Sequence, residues 1–546
     1  MPSIREPEFA DFVADQRAAH PTATLAVPVG VRLLSDQITP VLAYRRLVSA
    51  DERTAPSFLL ESVEGGERQG RHSILGAQPV IEVVAFGHAV TVTDRRTSDA
   101  RRTERQADPM STLRQLSEGI RIAVPPGAIE RKDLPACPLG GWFGYASYDT
   151  VRYAEPVKLH PKNAPRDDRR LPDLHFGLYP GVVAFDNVDK LVHVVQLALV
   201  EPGDDPAEVY RRTVETLEAR VAQVQTHVKP LLSGRVGPAA AVDAEPMPSN
   251  TTRAEHRAMV ERAKEYIRAG DIFQVVLGQR FERTTSVDPF DVYRALRAVN
   301  PSPYMVYLQA AGTILVASSP EILCRVRDEG SFGQPRMIVT NRPLAGTRKR
   351  GRTPEEDLAL ERDLLADAKE RAEHVMLVDL GRNDVGRVCK PGTIELSDVM
   401  SIERYSHVMH ISSTVTGELR ADQDCWDALR AALPVGTISG APKIRAMQII
   451  DELEKIRRGP YGGGMGWVGL DGQMDIALAL RTIVVPTDLY NPGSPSAQWT
   501  YHVQAAGGIV ADSDPDAEFM ETVNKAAALG RAIDVAESAF SDAPGP

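Results

Sequence analysis

Aromatic residues make up only 6% of this 546-residue chain, and cysteine is rarer still, with four. Cys137, Cys324, Cys389 and Cys425 show no CxxC and no Cys/His spacing, so neither a zinc site nor a disulfide framework is expected, and a reducing, cytoplasmic setting is. No stretch approaches the ~20 apolar residues that cross a bilayer, so no membrane partner is expected. The opening MPSIREPEFADFVADQ carries acids and lacks the roughly 7–15-residue apolar run of a secretory signal. Basic residues are in deficit, 63 Lys and Arg against 74 Asp and Glu, for a net charge of −11. That balance argues against nucleic acid, which wants a basic footprint. It also repels anionic substrates, so any anion site must be made positive locally.

The 43% hydrophobic and 25% charged fractions are those of a globular protein, and the length suggests two domains. The segment 229–250, rich in Pro, Ala and Gly, reads as a linker between an N-terminal domain at 20–228 and a second at 251–535. Residues 24–200 alternate short β-rich runs with turns, and Pro206 to Val228 has helical spacing. The second half opens on a capping box, Thr252 to Glu255, with Gly270 as a helix stop. A strand at 272–281 should turn Gln274, Val276, Gly278 and Arg280 one way and Phe273, Val275 and Leu277 the other. One helix is predicted from about Pro354 through ERDLLADAKERAEHVMLVDL, another from about Asp516.

Glu370, Glu373 and His374 share a face of the first of these helices, and Glu518, Glu521, Thr522 and Lys525 a face of the second. Hard divalent cations such as Mg²⁺ are held by one or two carboxylates, waters and a substrate oxygen, which one glutamate from each helix would supply. Solvated faces laced with Glu–Lys pairs show the same spacing. Glycine-rich runs at 434–443, 461–469 and 504–510 could bring backbone N–H groups to an anion or could be ordinary turns, and none is a P-loop. His407 and His410 would face opposite sides of a strand, which speaks against a shared metal. Glu321, ending an apolar strand, is either a partly buried general acid or a turn residue.

Taken together, AGDIFQVVLGQRF, SSPEIL, RPLAGTRKRG, ADAKERAEHVMLVDLGRNDVGRV, YSHVMHISSTVTGEL, VGTISGAPKIRAMQIIDELE, YGGGMGWVG and QAAGGIVADSDPDAEFMETVNKAAAL resemble the chorismate-binding enzyme family from about Thr252 to Leu529. PSFLLESVEGGERQGRHSILG and PLGGWFGYASYD look like the first domain of its anthranilate- and aminodeoxychorismate-forming branches. The resemblance implies an α+β fold, large β-sheets packed as a sandwich with flanking helices, the N-terminal domain lying against the catalytic one. Two positions narrow the chemistry: Gln274 stands where isochorismate and salicylate synthases carry a water-activating lysine, and Ala345 where aminodeoxychorismate synthases carry a nucleophilic one. Direct attack of ammonia on chorismate remains, giving anthranilate. An amino-dideoxyisochorismate synthase, which stops before pyruvate leaves, shares nearly all these motifs, and a non-catalytic chorismate- or tryptophan-sensing protein is the reading from another class.

By resemblance, Glu373 and Glu521 match the magnesium ligands, with Glu370 behind them. Glu321 matches the acid that protonates the leaving 4-hydroxyl; His410 and Thr437 match groups beside the ring, expected to serve pyruvate elimination. Tyr461, Arg481, Lys525 and the backbone of Ala506, Gly507 and Gly508 match contacts to the enolpyruvyl carboxylate, and Gly346 and Thr347 belong to the same substrate site. Ser62, in an LLES run, and Pro303, Tyr304 and Met305 match a regulatory tryptophan site built from both domains. No cysteine sits in a GxCxGxQ nucleophile turn, so a separate glutamine amidotransferase subunit is expected to supply ammonia, in a heterotetramer.

Overall fold

The computed structural model describes residues 2–49, 52–62, 70–96, 100–226, 231–236, 247–330, 335–405, 408–492 and 497–540. Two β-sheets of twelve strands each dominate it. Among the described residues the named strands pair antiparallel, except Thr24–Leu34 with Ile120–Ile122. Both sheets draw strands from either side of residues 229–250. In the first, Ser57–Glu61 pairs with Tyr304–Ala310, Met305 opposite Glu61; in the second, Gly141–Ala146 pairs with Gly464–Val468. The end of the expected linker is itself tied in: Ser249 bridges Phe281, and the Asn250 N–H donates to the Arg280 carbonyl.

The sheets pack face to face over a core that includes Phe58, Trp142, Leu315 and Met465, with Phe58 stacked on Phe143 at 3.8 Å. Each such side chain contributes about 1.5–3 kcal/mol by leaving water. Strands buried on both faces lose the alternation that marks a half-exposed strand. Tyr304–Ala310 shows it: Val306, Leu308 and Ala310 enter the core between the sheets, while Met305 and Tyr307 pack beneath helices on the outer face. Those helices, Pro206–Gln225, Pro289–Val299 and Pro515–Phe540, cover the first sheet with Leu217, Leu296 and Leu529.

The capping box forms as expected, Thr252 Oγ1 accepting from the Glu255 N–H, and Gly270 takes φ +80° after the helix Arg253–Arg268. The strand Gln274–Thr285 turns Val276 into the core between the sheets and Val275 and Leu277 under the helices, while Phe273 is exposed. The helix predicted from Pro354 is two helices, Pro354–Ala366 and Ala368–Gly386. Asp367 separates them: its backbone is extended and its carboxylate accepts from the N–H groups of Lys369 and Glu370, an N-cap inside what reads as one helical run. The break re-aims the second helix, which carries Glu370 and Glu373. The glycines of 504–508 lie within the strand Trp499–Ile509 and those of 464–466 within Gly464–Val468, so neither run is a simple turn.

Candidate active site

Two helices and the edge of the first sheet bring the paired carboxylates to adjacent glycines. Gln274 Nε2 donates to Glu373 Oε1 at 2.9 Å. A Cβ at Gly508 would lie 2.5 Å from that Nε2 and 3.5 Å from the Glu373 oxygen; a Cβ at Gly507 would lie 3.0 Å from Glu518 Oε2 and 3.9 Å from Glu521 Oε1. The missing side chains are what let four polar groups crowd the strand. Burial and the charge of Glu373 raise the proton affinity of Glu370; burial, and more weakly the charge of Glu521, does the same for Glu518. Carboxylates that repel in this way are relieved by a bound cation. Among the described residues Glu518 Oε2 and Gln274 Oε1 are buried without a hydrogen-bond partner, and the donors are all hard oxygens, so the residues present fit Mg²⁺. Among the described residues no group of three His, Cys, Asp or Glu side chains could by itself hold a metal, so an ion bound here would take its remaining ligands from water and substrate. Lys525 Nζ sits 2.7 Å from Glu521 Oε1 and donates to the Ala506 carbonyl at 2.9 Å.

Beside this cluster lie a proton donor and a proton acceptor. Glu321 is 2% exposed, and burial pushes its carboxyl up to about 8, so it holds its proton at neutral pH. Thr437 Oγ1 donates to Glu321 Oε1 at 2.9 Å. His410 is buried too, which with the nearby charge of Arg481 lowers it to about 4 and keeps the ring neutral. Its Nδ1 lies 2.8 Å from the Gly346 carbonyl, which can only accept, so the proton sits on Nδ1 and the lone pair on Nε2. Nε2 is buried with no hydrogen-bond partner among the described residues, available as a base. Gly346, at φ +65°, and Thr347, 3.1 Å from the ring, sit in a bulge of the strand Leu344–Lys349, which aims both at His410. The Ala506 N–H donates to the buried Tyr461 hydroxyl, and Arg481 adopts φ +46°, a left-handed backbone that non-glycine residues keep only where surroundings enforce it. The structure therefore gathers Glu321, His410, Thr437, Gly346 and Thr347 in one wall, and Glu373, Glu521, Lys525, Ala506, Gly507 and Gly508 in another.

A sequence model described as chorismate binding enzyme matches residues 56–531. The chain belongs to the chorismate-binding enzyme family. It is 52% identical over 534 residues to the chloroplastic anthranilate synthase alpha subunit 1 of Oryza sativa subsp. japonica, covering 94% of this chain and 89% of that protein. It is 41% identical over 521 residues to anthranilate synthase component 1 of Acetivibrio thermocellus, covering 93% and 96%. The crystal structure of anthranilate synthase component I from Streptococcus pneumoniae TIGR4 superposes with a TM-score of 0.67 at 32% identity, covering 92% of this chain and 99% of that one.

A second cavity of about 360 Å³ opens between the sheets, and Ser62, Pro303, Tyr304 and Met305 all line it. Its polar walls escaped the sequence reading. Glu61 is held by the Tyr293 hydroxyl at 2.6 Å and by Arg297 at 2.8 Å, and Asp475 is clamped by Arg325 and Arg327, each at 3.0 Å, with the Tyr304 hydroxyl donating to it. Both signs of charge thus face one slot whose walls mix polar and apolar side chains. Gln274, singled out in the sequence as a discriminating position, also touches an expected ligand, Glu373, a contact that nothing local marks; Glu518, read on the same face as Glu521, lies with it beside Gly507. His407 lies outside the described residues. No helix among the described residues is long and apolar enough to cross a membrane.

Proposed function

We propose that this chain is the chorismate-using large subunit of an anthranilate synthase, converting chorismate and ammonia to anthranilate and pyruvate at the entry to tryptophan biosynthesis. The observation that carries the reading is the pairing of a buried, protonated Glu321 with a neutral His410 in a site that has glutamine at 274 and alanine at 345. Glu321 donates its proton to the leaving 4-hydroxyl as ammonia adds at C2; neither position 274 nor 345 supplies a side-chain amine as a competing nucleophile. His410 Nε2 then takes the C2 proton as pyruvate leaves. Thr437 holds Glu321 in place, and Tyr461, Arg481 and the backbone of Ala506 to Gly508 receive the enolpyruvyl carboxylate. A magnesium ion bound by Glu373 and Glu521 would neutralise the ring carboxylate and fix the ring against these groups. The dianion thereby meets local positive potential that the net charge of −11 does not provide.

Ammonia comes from glutamine hydrolysed by a separate amidotransferase subunit in a heterotetramer. The four thiols support this: Cys137, Cys324 and Cys425 are pushed well up by burial and Cys389 to about 11, the reverse of an activated nucleophile. Four unpaired thiols also accord with the cytoplasm. The cavity between the sheets takes tryptophan as feedback inhibitor, Glu61 or Asp475 facing its ammonium, the arginines its carboxylate and the apolar walls its ring. In this reading the segments 20–228 and 251–535 are the regulatory and catalytic parts, and the effector binds where they meet.

The test is the purified chain with chorismate, Mg²⁺ and ammonium, followed by anthranilate fluorescence and pyruvate release. Both products are expected. Neither appearing refutes the proposal, and an amine adduct without pyruvate selects an amino-dideoxyisochorismate synthase instead. Ser62→Ala should raise the tryptophan concentration for half inhibition; unchanged sensitivity counts against the regulatory assignment.

A further inference from the structure

One wall is shared between the cavity and the proton-transfer site. Pro320 and Leu344 line the cavity; Pro320 precedes Glu321, and the Leu344 N–H donates to the Glu321 carboxyl. Glu403 lines the cavity as well and stands directly across the hairpin from His410 in the pairing of Glu395–Arg404 with Val408–Glu418. Directly opposed residues of an antiparallel pair present their side chains on the same face. Glu403 is held at both ends: Oε1 lies 2.6 Å from Arg342 in the cavity, and Oε2 accepts from the Tyr405 hydroxyl at 2.6 Å. Tyr405 is buried, its phenol raised well beyond the range in which it ionises, so it acts as donor. Its ring lies 5.6 Å from that of His410, tilted 60°, and its hydroxyl is 3.4 Å from the Pro320 carbonyl.

Resting on the reading of Glu321 and His410 as acid and base, we propose that Glu403 and Tyr405 are positioning residues that tie the cavity wall to both groups. The Tyr405 ring limits how the His410 imidazole can rotate, while its hydroxyl proton, given to Glu403, ties that ring to the cavity wall. The Glu403 charge also works on Glu321 directly, adding to burial in keeping that carboxyl protonated. An effector whose carboxylate is drawn to Arg342 competes with Glu403 for that arginine, frees Glu403 to shift on its bond to Tyr405, and so reaches the proton-transfer site without touching chorismate. Coupling of this kind requires an element that both sites bias, and the Glu403–Tyr405 bond is one.

The experiment uses the full chain with ammonium as nitrogen source and compares Tyr405→Phe and Glu403→Gln with the parent. Phenylalanine keeps the ring against His410 and removes only the hydroxyl; glutamine keeps the shape of Glu403 and removes its charge. Each should lower kcat about 10-fold while chorismate KM stays within about two-fold, a split that loss of transition-state placement produces and loss of binding does not. In Tyr405→Phe, tryptophan should still bind by calorimetry within about two-fold of the parent Kd yet inhibit at least about five-fold less, since the coupling and not the site is broken. An unchanged kcat in both variants, or a raised KM with kcat intact, overturns the proposal. So does full inhibition by tryptophan in Tyr405→Phe. If Glu321→Gln turns over like the parent, the acid assignment has failed instead; if the parent binds no tryptophan, the effector assignment has failed and the kcat comparison still decides the positioning role.

Discussion

Replacing Glu321 with glutamine isolates one proton. The amide keeps an oxygen for the Thr437 hydroxyl, 2.9 Å away, and nearly the same volume in a site that leaves the residue 2% exposed. What it loses is an acid raised by burial from 4.5 to about 8. A positioned general acid contributes about 10²–10⁴-fold, or roughly 3–5 kcal/mol, so kcat for anthranilate should fall by that range with chorismate KM little changed. The parent should lose activity as pH rises through about 8, where Glu321 gives up its proton, and the variant's residual activity should lack that limb. Stability carries the same signature with a definite sign. The folded state holds this proton more tightly than the unfolded state, so the parent loses stability as pH rises from about 4.5 toward about 8, by up to about 5 kcal/mol once both states are ionised. The variant should therefore gain on the parent across that window in denaturant titrations and match it most closely below it. An enzyme that keeps its rate within about three-fold, or a parent whose alkaline limb survives in the variant, refutes the reasoning.

His410→Ala should still add ammonia but release pyruvate about 10²-fold more slowly, so the aminated intermediate builds up in chromatography of the reaction mixture; normal anthranilate yield refutes the base assignment. Gly508→Ala puts a methyl 2.5 Å from Gln274 Nε2 and should displace the Gln274–Glu373 bond. The magnesium concentration for half-maximal rate should then rise about 10–100-fold with the fold intact by circular dichroism, and an unchanged requirement removes Glu373 from the metal site. Asp367→Ala deletes the N-cap of the helix Ala368–Gly386, worth about 1 kcal/mol, so the Lys369 and Glu370 amides should exchange with solvent about five-fold faster; unaltered exchange places the helix break elsewhere.

The sequence made some of this legible because the signals are local. The capping box at Thr252 works through atoms three residues apart, so it formed as read. The same locality explains a failure. The run from Pro354 to Gly386 keeps helical composition throughout, and only the conformation of Asp367 cuts it in two. The glycines near 507 and 465 left two readings open in the sequence, ordinary turns or a backbone brought close to an anion; they lie in strands because carboxylates and neighbouring backbone come close there, which no local window contains.

What the sequence determined by itself is the inventory: two glutamate-bearing helical faces, a carboxyl at the end of an apolar strand, a histidine on a β-strand, no lysine at 274 or 345, and a family resemblance that places each of these in a chorismate site. Tertiary structure alone decided what the inventory can do. Gln274 meets Glu373 across 99 residues and Thr437 meets Glu321 across 116, pairings set by how the helices that carry Glu373 and Thr437 pack against the sheets. The raised acid and the lowered histidine follow from burial between two sheets, and desolvation belongs to the packed interior, since the same side chains on an extended chain would titrate near their ordinary values. The shared wall of Pro320, Leu344 and Glu403 exists only because segments of the second half of the chain that are far apart in sequence meet there.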